Sequence, residues 1–414
     1  LPKPLFVQKY GGTSVGSIDR IDQASERVIE AVATGHQVLV VLSAMGDETD
    51  RLAGLSEAIC KDDAPTREHD LLLATGEQVS VALLAMMLSK KGYPARSFTG
   101  GQAGIYTDEI HGQARIRRID TQALLNCLKN GVIPVVAGFQ GITESGEVTT
   151  LGRGGSDTTA MALAVALQAE ECRIYTDVDG IYTADPRIVK EARLLAEITL
   201  EEMLEMASLG SKVLHPRAVA LASKHQSKLR VLSSFRRSLG TLVRGEVLPD
   251  ENEERGQSME IPEISGIAAT RDEAKLTVQH LQDRPGVACH VLGPVSEQNI
   301  DVDMIVQNVS EKGLTDLTFT VKKADYERAK ALLADSYSVL GDPRVAKVSI
   351  VGIGMRSHAG IATKMFQALG DSNINIQMIS TSEIKISVVI DEDQANSAVQ
   401  ALHKAFQLAD EEAL

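Results

Sequence analysis

The C-terminal third of the chain spells one pattern twice. Ala274-Lys275-Leu276-Thr277-Val278 recurs as Ala346-Lys347-Val348-Ser349-Ile350, Gly286 recurs as Gly360, and Asn299-Ile300-Asp301-Val302-Asp303-Met304-Ile305 recurs as Asn373-Ile374-Asn375-Ile376-Gln377-Met378-Ile379. The glycine and the asparagine lie 13 residues apart in both copies. Each copy reads strand, glycine turn, helix, strand, strand, helix, a split β-α-β unit of the ferredoxin type. Duplication of this kind needs no ligand, because two small units can pair simply to bury their sheet edges.

Up to about residue 248 the pattern is different. Short β-branched runs at 38–42, 132–137, 173–176 and 229–232 alternate with helical periodicity. Near-continuous apolar strands predict a mainly parallel sheet with helices on both faces. Residues 249–262 are polar and bounded by prolines, which reads as a linker, with a charged surface helix as the alternative. A length of 414 residues allows two or three domains. The formal charge of −14 argues against nucleic acid and anionic membranes as partners. The four cysteines are scattered, with neither a disulfide framework nor a zinc motif, which suits a reducing cytoplasm. No signal-peptide core is visible, and the most apolar run, 81–88, is too short to span a bilayer.

Chemistry concentrates at a few strand ends. Residues 6–14, Phe-Val-Gln-Lys-Tyr-Gly-Gly-Thr-Ser, deliver Lys9 into a turn at Gly11 and Gly12, with helical spacing from Ser17 onward. Glycines that reach positive φ and a helix N-terminus beside a lysine suit a phosphate, although a plain strand–turn–helix link reads the same way. A Walker loop is excluded because Ser17 stands where its lysine belongs. A dinucleotide fingerprint is excluded because Thr13 replaces the second glycine. Gly152-Arg153-Gly154-Gly155-Ser156-Asp157 precedes the apolar run 160–167 and forms a second anion-favouring helix start. There Arg153 suits bidentate carboxylate or phosphate binding, and Asp157 could equally be a first-turn carboxylate that only stabilises the helix.

Glu77 follows Gly76 in an otherwise apolar helical stretch, where a ligand ammonium or a structural ion pair would account for it. Ser43 and Thr49 flank the turn after the 38–42 strand, where open α/β sheets bind ligands and where capping hydroxyls are also common. The loop 176–187 follows another strand and lacks the spacing of a calcium loop. His215-Pro216 reads as a turn rather than a metal site.

Taken together, Lys-Tyr-Gly-Gly-Thr-Ser at 9–14, Leu-Ser-Ala-Met-Gly at 42–46, Gly-Glu at 76–77, Thr-Leu-Gly-Arg-Gly-Gly-Ser-Asp at 150–157 and the 176–187 loop closely resemble bacterial aspartokinases of the amino-acid kinase superfamily. The repeats resemble paired ACT domains, with Gln307-Asn308-Val309-Ser310 and Ser380-Thr381-Ser382-Glu383 as typical segments. The resemblance implies a three-layer α/β/α kinase domain with a mainly parallel sheet at 1–248 and a linker at 249–262. Two ferredoxin-like (βαββαβ) ACT domains follow at 263–340 and 341–414, with the strand 264–270 interleaved into the second.

The implied reaction is transfer of a phosphoryl group from ATP, accompanied by Mg²⁺, to the L-aspartate β-carboxylate. This is the entry to lysine, threonine and methionine synthesis, in a cytoplasmic homo-oligomer. By resemblance Lys9 and Asp157 are catalytic, and Ser43, Thr49, Glu77, Arg153 and Ser156 bind aspartate. Lys9, Tyr10, Gly11, Gly12, Thr176, Asp177, Tyr182, Thr183, Ala184, Asp185, Pro186, Arg187, Lys212 and Val213 hold the nucleotide. No metal-ligand motif is expected, because the cation would ride on phosphate oxygens. Lysine and/or threonine would act as effectors where repeats of two subunits meet. One effector region comprises Asp283, Gly286, Val287, Ala288, Asp301 and Gln307; the other comprises Ile361, Ala362, Asn375, Ile376, Ser382 and Glu383. His358-Ala359-Gly360 departs from the proline more usual there, leaving effector affinity at that loop open. Another kinase of the superfamily and a catalytically silent amino-acid sensor are the competing readings.

Overall fold

Near-continuous apolar strands produce a sheet buried on both faces. The computed structural model describes residues 3–61, 64–210, 213–245, 264–309, 313–353, 355 and 360–409. The expected linker, Lys212 and the His358-Ala359 departure lie outside the described residues. The chain divides into two compact units. The first comprises Leu1–Ile181, Leu194–Ser208 and Lys212–Glu253, and the second comprises Tyr182–Arg193, Leu209–Ser211 and Glu254–Leu414.

In the first unit the elements run β1 (Leu5–Tyr10), α1 (Ile18–Ala33), β2 (Gln37–Leu42), α2 (Glu48–Cys60), α3 (Thr66–Leu73), α4 (Thr75–Lys90) and β3 (Ala95–Phe98). Next come β4 (Ile105–Thr107), β5 (Ile116–Ile119), α5 (Gln122–Lys129), β6 (Ile133–Ala137), β7 (Gln140–Ile142), β8 (Val148–Thr150) and α6 (Gly155–Ala166). The unit closes with β9 (Glu171–Thr176), β10 (Glu197–Thr199), α7 (Leu200–Ser208), α8 (Pro216–His225), β11 (Leu229–Ser233) and β12 (Thr241–Arg244). The eight-stranded sheet has the order β10-β12-β11-β9-β1-β2-β6-β3. All its pairings are parallel except β11 with β12.

β1 sits between β2 and β9, so successive connections leave it in opposite directions and open a crevice at the carboxyl edge. On one face Phe6, Tyr10, Val38 and Leu42 pack against Ile21 and Val28 of α1 and Leu84 and Leu88 of α4. Side chains alternate along a strand, so Lys9 points to the other face, where α6 lies. A small four-stranded sheet, β5-β4-β7-β8, lies beside this core.

α3 and α4 run on as a helical stretch from Thr66 to Lys90, long and apolar enough by composition alone to pass for a membrane span. This corrects the expectation that the most apolar run is 81–88 and far too short to span a bilayer. Half of its most apolar window is buried, as in the core helix of a folded domain.

The second unit contains β13 (Ile264–Gln282), α9 (Val287–Glu297), β14 (Val302–Val309), β15 (Leu314–Val321) and α10 (Tyr326–Ala334). It continues with β16 (Ser338–Gly352), α11 (Gly360–Asp371), β17 (Met378–Thr381), β18 (Lys385–Asp391) and α12 (Ala395–Ala405). One antiparallel sheet, β14-β15-β13-β16-β18-β17, serves both repeats. The equivalent asparagines Asn299 and Asn373 both adopt left-handed backbone, with φ of 54° and 55°. Asparagine tolerates that region, which is why it recurs at the same turn.

β13 and β16 each span two modules. Leu276–Gln279 of β13 pairs with 338–341 of β16, whereas Ile267–Thr270 pairs with 347–350, the part of β16 that also pairs with β18. Each repeat therefore takes its fourth strand from the strand that begins the other. At the crossing, Lys347 Nζ lies 2.6 Å from Glu273 Oε1 and also meets Asp303, while the equivalent Lys275 meets Gln377. Asp303 and Gln377 occupy matching positions, so each repeat's lysine reaches the other repeat's acceptor.

Candidate active site

Lys9 is the second-to-last residue of β1, and its Nζ lies 2.7 Å from Asp157 Oδ1 in the first turn of α6. Both side chains are largely buried, at 12% and 11% exposure, so this is more than a solvated surface pair. The glycine turn that follows behaves differently from expectation. Gly11 has φ −72° and Gly12 opens a short 3-10 turn, Gly12–Val15, while α1 starts only after Ser17 caps it through the Arg20 amide. Neither glycine uses positive φ, and neither sits at the α1 N-terminus. Close approach explains Gly12 instead. A Cβ on Gly12 would lie 3.0 Å from the carbonyl oxygens of Ala44 and Gly46, whereas one on Gly11 would make only ordinary contact, 3.6 Å from Lys9 Nζ.

The turn is fastened to its neighbours. Gly11 N–H donates to Tyr175 O at 3.3 Å, Ser14 Oγ lies 2.6 Å from Ser234 Oγ, and Gly46 N–H donates to Gly12 O at 3.0 Å. Tyr10 contributes backbone only. Its ring lies on the opposite face from Lys9, stacked on Tyr175 with centroids 4.6 Å apart, which removes it as a side-chain nucleotide contact.

The loop after β2 carries the next group. Ser43 is half-buried, and its carbonyl accepts from Ser80 Oγ at 2.8 Å. Thr49 lies in the first turn of α2. Glu77, 2% exposed, accepts from the Ala44 amide through Oε1 at 3.1 Å. Its Oε2 is buried and has no hydrogen-bond partner among the described residues. Burial without a counterion pushes its carboxyl up to about 8. The structural ion pair suggested for Glu77 is therefore not what holds it.

Gly76 also has a packing explanation, because its Cβ would come 2.9 Å from Ala44 Cβ. Gly76→Ala should consequently destabilise the protein by roughly 1 kcal/mol in urea unfolding, although alanine in an open helix would add about that much. A stabilised variant would show that Ala44 yields freely.

Ser156 and Asp157 are both buried at the start of α6. Gly138, at the end of β6, has no room for a Cβ, which would sit 2.7 Å from Ser156 Oγ. Arg153 lies on the loop before α6, exposed, and no described residue forms an ion pair with it. Gly154 has φ +68°, and a Cβ there would strike the His215 ring at 2.1 Å. His215 caps α8 by accepting from the Arg217 amide, and burial lowers its pKa, so it acts as packing and a turn residue. At the end of β9, Thr176 Oγ1 donates to Asp177 Oδ1 at 3.2 Å and Thr176 O accepts from the Ser234 amide at 2.8 Å. Val213 is half-buried. The carboxyl edges of β1, β2, β6 and β9 thus gather Lys9, Asp157, the Gly11–Gly12 turn, Ser43, Glu77 and Ser156.

Residues 182–187, inside the segment 1–248 expected as the kinase domain, cluster with the second compact unit. The reason is their bonding. Thr183 O accepts from the Ile267 amide, and its buried Oγ1 meets His403 Nε2 at 3.0 Å. Ala184 packs in the same core as Val348 and Leu402. Thr183 and Ala184 therefore present no side chain to a ligand. Tyr182 is half-buried, Pro186 is exposed, and Asp185 pairs with the exposed Arg187 at 2.7 Å.

In the second unit a cavity of about 400 Å³ is lined by Asp283, Arg284, Pro285, Gly286, Val287, Ala288 and Gln307. Gly286 opens α9 at φ +90°. Asp301 lies outside that lining, exposed and 3.4 Å from Lys322. In the other expected effector group Ile361 is buried in the core and Ala362 packs against it. Asn375 is exposed and Ile376 half-buried, Ser382 Oγ accepts from the Ile384 amide, and Glu383 is exposed.

Residues missed from sequence include Asp70, Ser234 and Arg217. Only Asp70 could have drawn notice, as an acid within an otherwise apolar helix ending.

Residues 4–233 match the amino acid kinase family model, and 276–335 and 348–406 each match an ACT domain model. The chain belongs to the amino acid kinase family, with ACT domains following the kinase fold. Within that family it groups with the aspartate kinases. A Pseudomonas fluorescens aspartate kinase is 57% identical over 98% of both chains. The crystal structure of Escherichia coli aspartokinase III with aspartate and ADP superposes with a TM-score of 0.81 at 28% identity, covering 97% of this chain and 99% of that one. The same enzyme with lysine and aspartate gives 0.74 at 27% identity, covering 97% and 99%.

Proposed function

We propose that the protein transfers the γ-phosphoryl group of ATP to the β-carboxylate of L-aspartate, yielding ADP and 4-phospho-L-aspartate. The observation that carries this reading is the unpartnered, buried Glu77 Oε2 beside a lysine–glycine turn: one end of the site lacks a cation and the other supplies one. An amino-acid ammonium satisfies Glu77, and the exposed Arg153 guanidinium suits a carboxylate. The acceptor carboxylate is already a nucleophile at neutral pH, so no general base is needed and catalysis rests on positioning and charge. Lys9 neutralises the transferring group, and Asp157 holds the ammonium in place. Among the described residues no cluster of three or more carboxylate, histidine or cysteine side chains could cage a metal ion. Mg²⁺ fits as a nucleotide-borne ion, whose chemistry is to neutralise phosphate charge. Coupled ADP release with aspartate, glutamate or no acceptor tests the reading, and no turnover with aspartate would reject it.

Inhibition by lysine and/or threonine completes the proposal, in a cytoplasmic homodimer at the head of lysine, threonine and methionine synthesis. It is supported by the Asp283–Gln307 cavity, whose acidic, amide and backbone groups suit a free amino acid, and by the relative that binds lysine. In the full chain Gln307→Ala should raise the effector concentration for half-inhibition about 10-fold with kcat unchanged. An unaltered inhibition curve would place the effector elsewhere.

A further inference from the structure

Asp70, near the end of α3, has a side chain with no exposure and takes no part in the mechanism above. Its carboxylate is fully occupied. Oδ2 accepts from His111 Nδ1 at 2.9 Å and from the Thr150 amide at 3.0 Å, Oδ1 accepts from Thr150 Oγ1 at 2.6 Å, and the Gly112 amide donates to both oxygens at 3.0 Å. One buried anion thereby joins three pieces of chain: α3, the 111–112 turn and the end of β8. The two loops it joins approach backbone to backbone, since a Cβ on Gly152 would stand 3.0 Å from Gly112 O.

We infer that Asp70 is a positioning residue that sets the loop carrying Arg153 and so controls affinity for the acceptor's carboxylate. Arg153 lies three residues beyond Thr150, and no described residue pairs with its guanidinium, so its placement depends on where the loop is anchored. The anchors can be named. Thr150 is held by Asp70 from its side chain and amide, by pairing with Gln140 of β7 and by the Ala114 amide on its carbonyl; Leu151 is held by its N–H to Phe139 O and by Arg217 on its carbonyl, and Gly155 N–H bonds back to Gly152 O. An isolated buried carboxylate is costly, whereas one receiving several donors is rigid and directional. Neutralising it disturbs Thr150 first. An amide in its place would set an NH2 group against backbone N–H donors.

The inference rests on the acceptor-binding role proposed for Arg153, and that reading is checked separately by aspartate turnover in the unaltered enzyme. The test is steady-state kinetics on full-length Asp70→Asn and Thr150→Val, varying aspartate and ATP independently. Ser56→Ala is the control, because it removes the 3.0 Å bond to His69 on the same helix without touching the loop. Asp70→Asn should raise KM for aspartate about 10-fold, with kcat and KM for ATP within about twofold. Thr150→Val should shift the same constant less, and Ser56→Ala should not shift it. Equal rises in both KM values, or an aspartate KM unchanged in the variants, would overturn the inference. Should Asp70→Asn fail to fold, an unchanged KM in Thr150→Val overturns it alone.

Discussion

Lys9→Ala is expected to lower kcat by about 10²-fold or more at saturating ATP and aspartate, the scale of losing one preorganised electrostatic contact to a transferring group. The lysine is held 2.7 Å from Asp157 at the carboxyl edge of the central strand, so its charge is fixed before substrate arrives. Removing it also leaves Asp157 largely buried without its cation, which costs some stability. Thermal melting should accompany the kinetics, so that rates are compared for folded protein. A folded variant turning over near the unaltered rate would remove Lys9 from catalysis.

Glu77→Gln should weaken aspartate binding and stabilise the protein at once. Loss of a charge-assisted contact to an ammonium predicts a KM for aspartate raised about 10- to 100-fold. The stability effect has a definite pH window. The folded carboxyl titrates near 8 against an ordinary 4.5, so between those values the unfolded chain gives up a proton that the folded protein keeps. Stability attached to this group is fully present below pH 4.5, declines as pH rises, and stops changing above about 8. Glutamine removes that decline. The melting difference between variant and parent should be near zero at pH 4.5 and grow by roughly 1.4 kcal/mol per pH unit at most until it levels off. A constant difference across the range would show that Glu77 is not the titrating group. A site that lowers stability in this way is expected where function has set the residue.

The elements were legible because their signals are local. Runs such as 38–42 and 229–232 needed only apolar, β-branched residues to mark strands, and the repeated glycine–asparagine spacing marked both modules. That Lys9, Glu77 and Asp157 are out of place as ordinary core or surface residues was legible for the same reason, as charged residues at strand ends or in apolar helices. What escaped was set by distant partners. Gly11 and Gly12 looked like conformational glycines, and the loop at 44–46 made Gly12 a contact glycine. Thr183 looked like part of a nucleotide loop until His403, 220 residues away, claimed its hydroxyl. Tyr10 differs from Lys9 by one strand position, which was enough to put it in the core. The role of Asp70 escaped because its donors lie 41 to 80 residues further along the chain.

The exchange of strands between β13 and β16 has a mechanical outcome. Each module borrows part of its sheet from the other, so neither owns a complete fold that could melt, be excised or evolve in isolation. Slowly exchanging amides of both halves should open together as one cooperative block, and a chain break at 271–273 would undo two modules for the cost of one peptide bond.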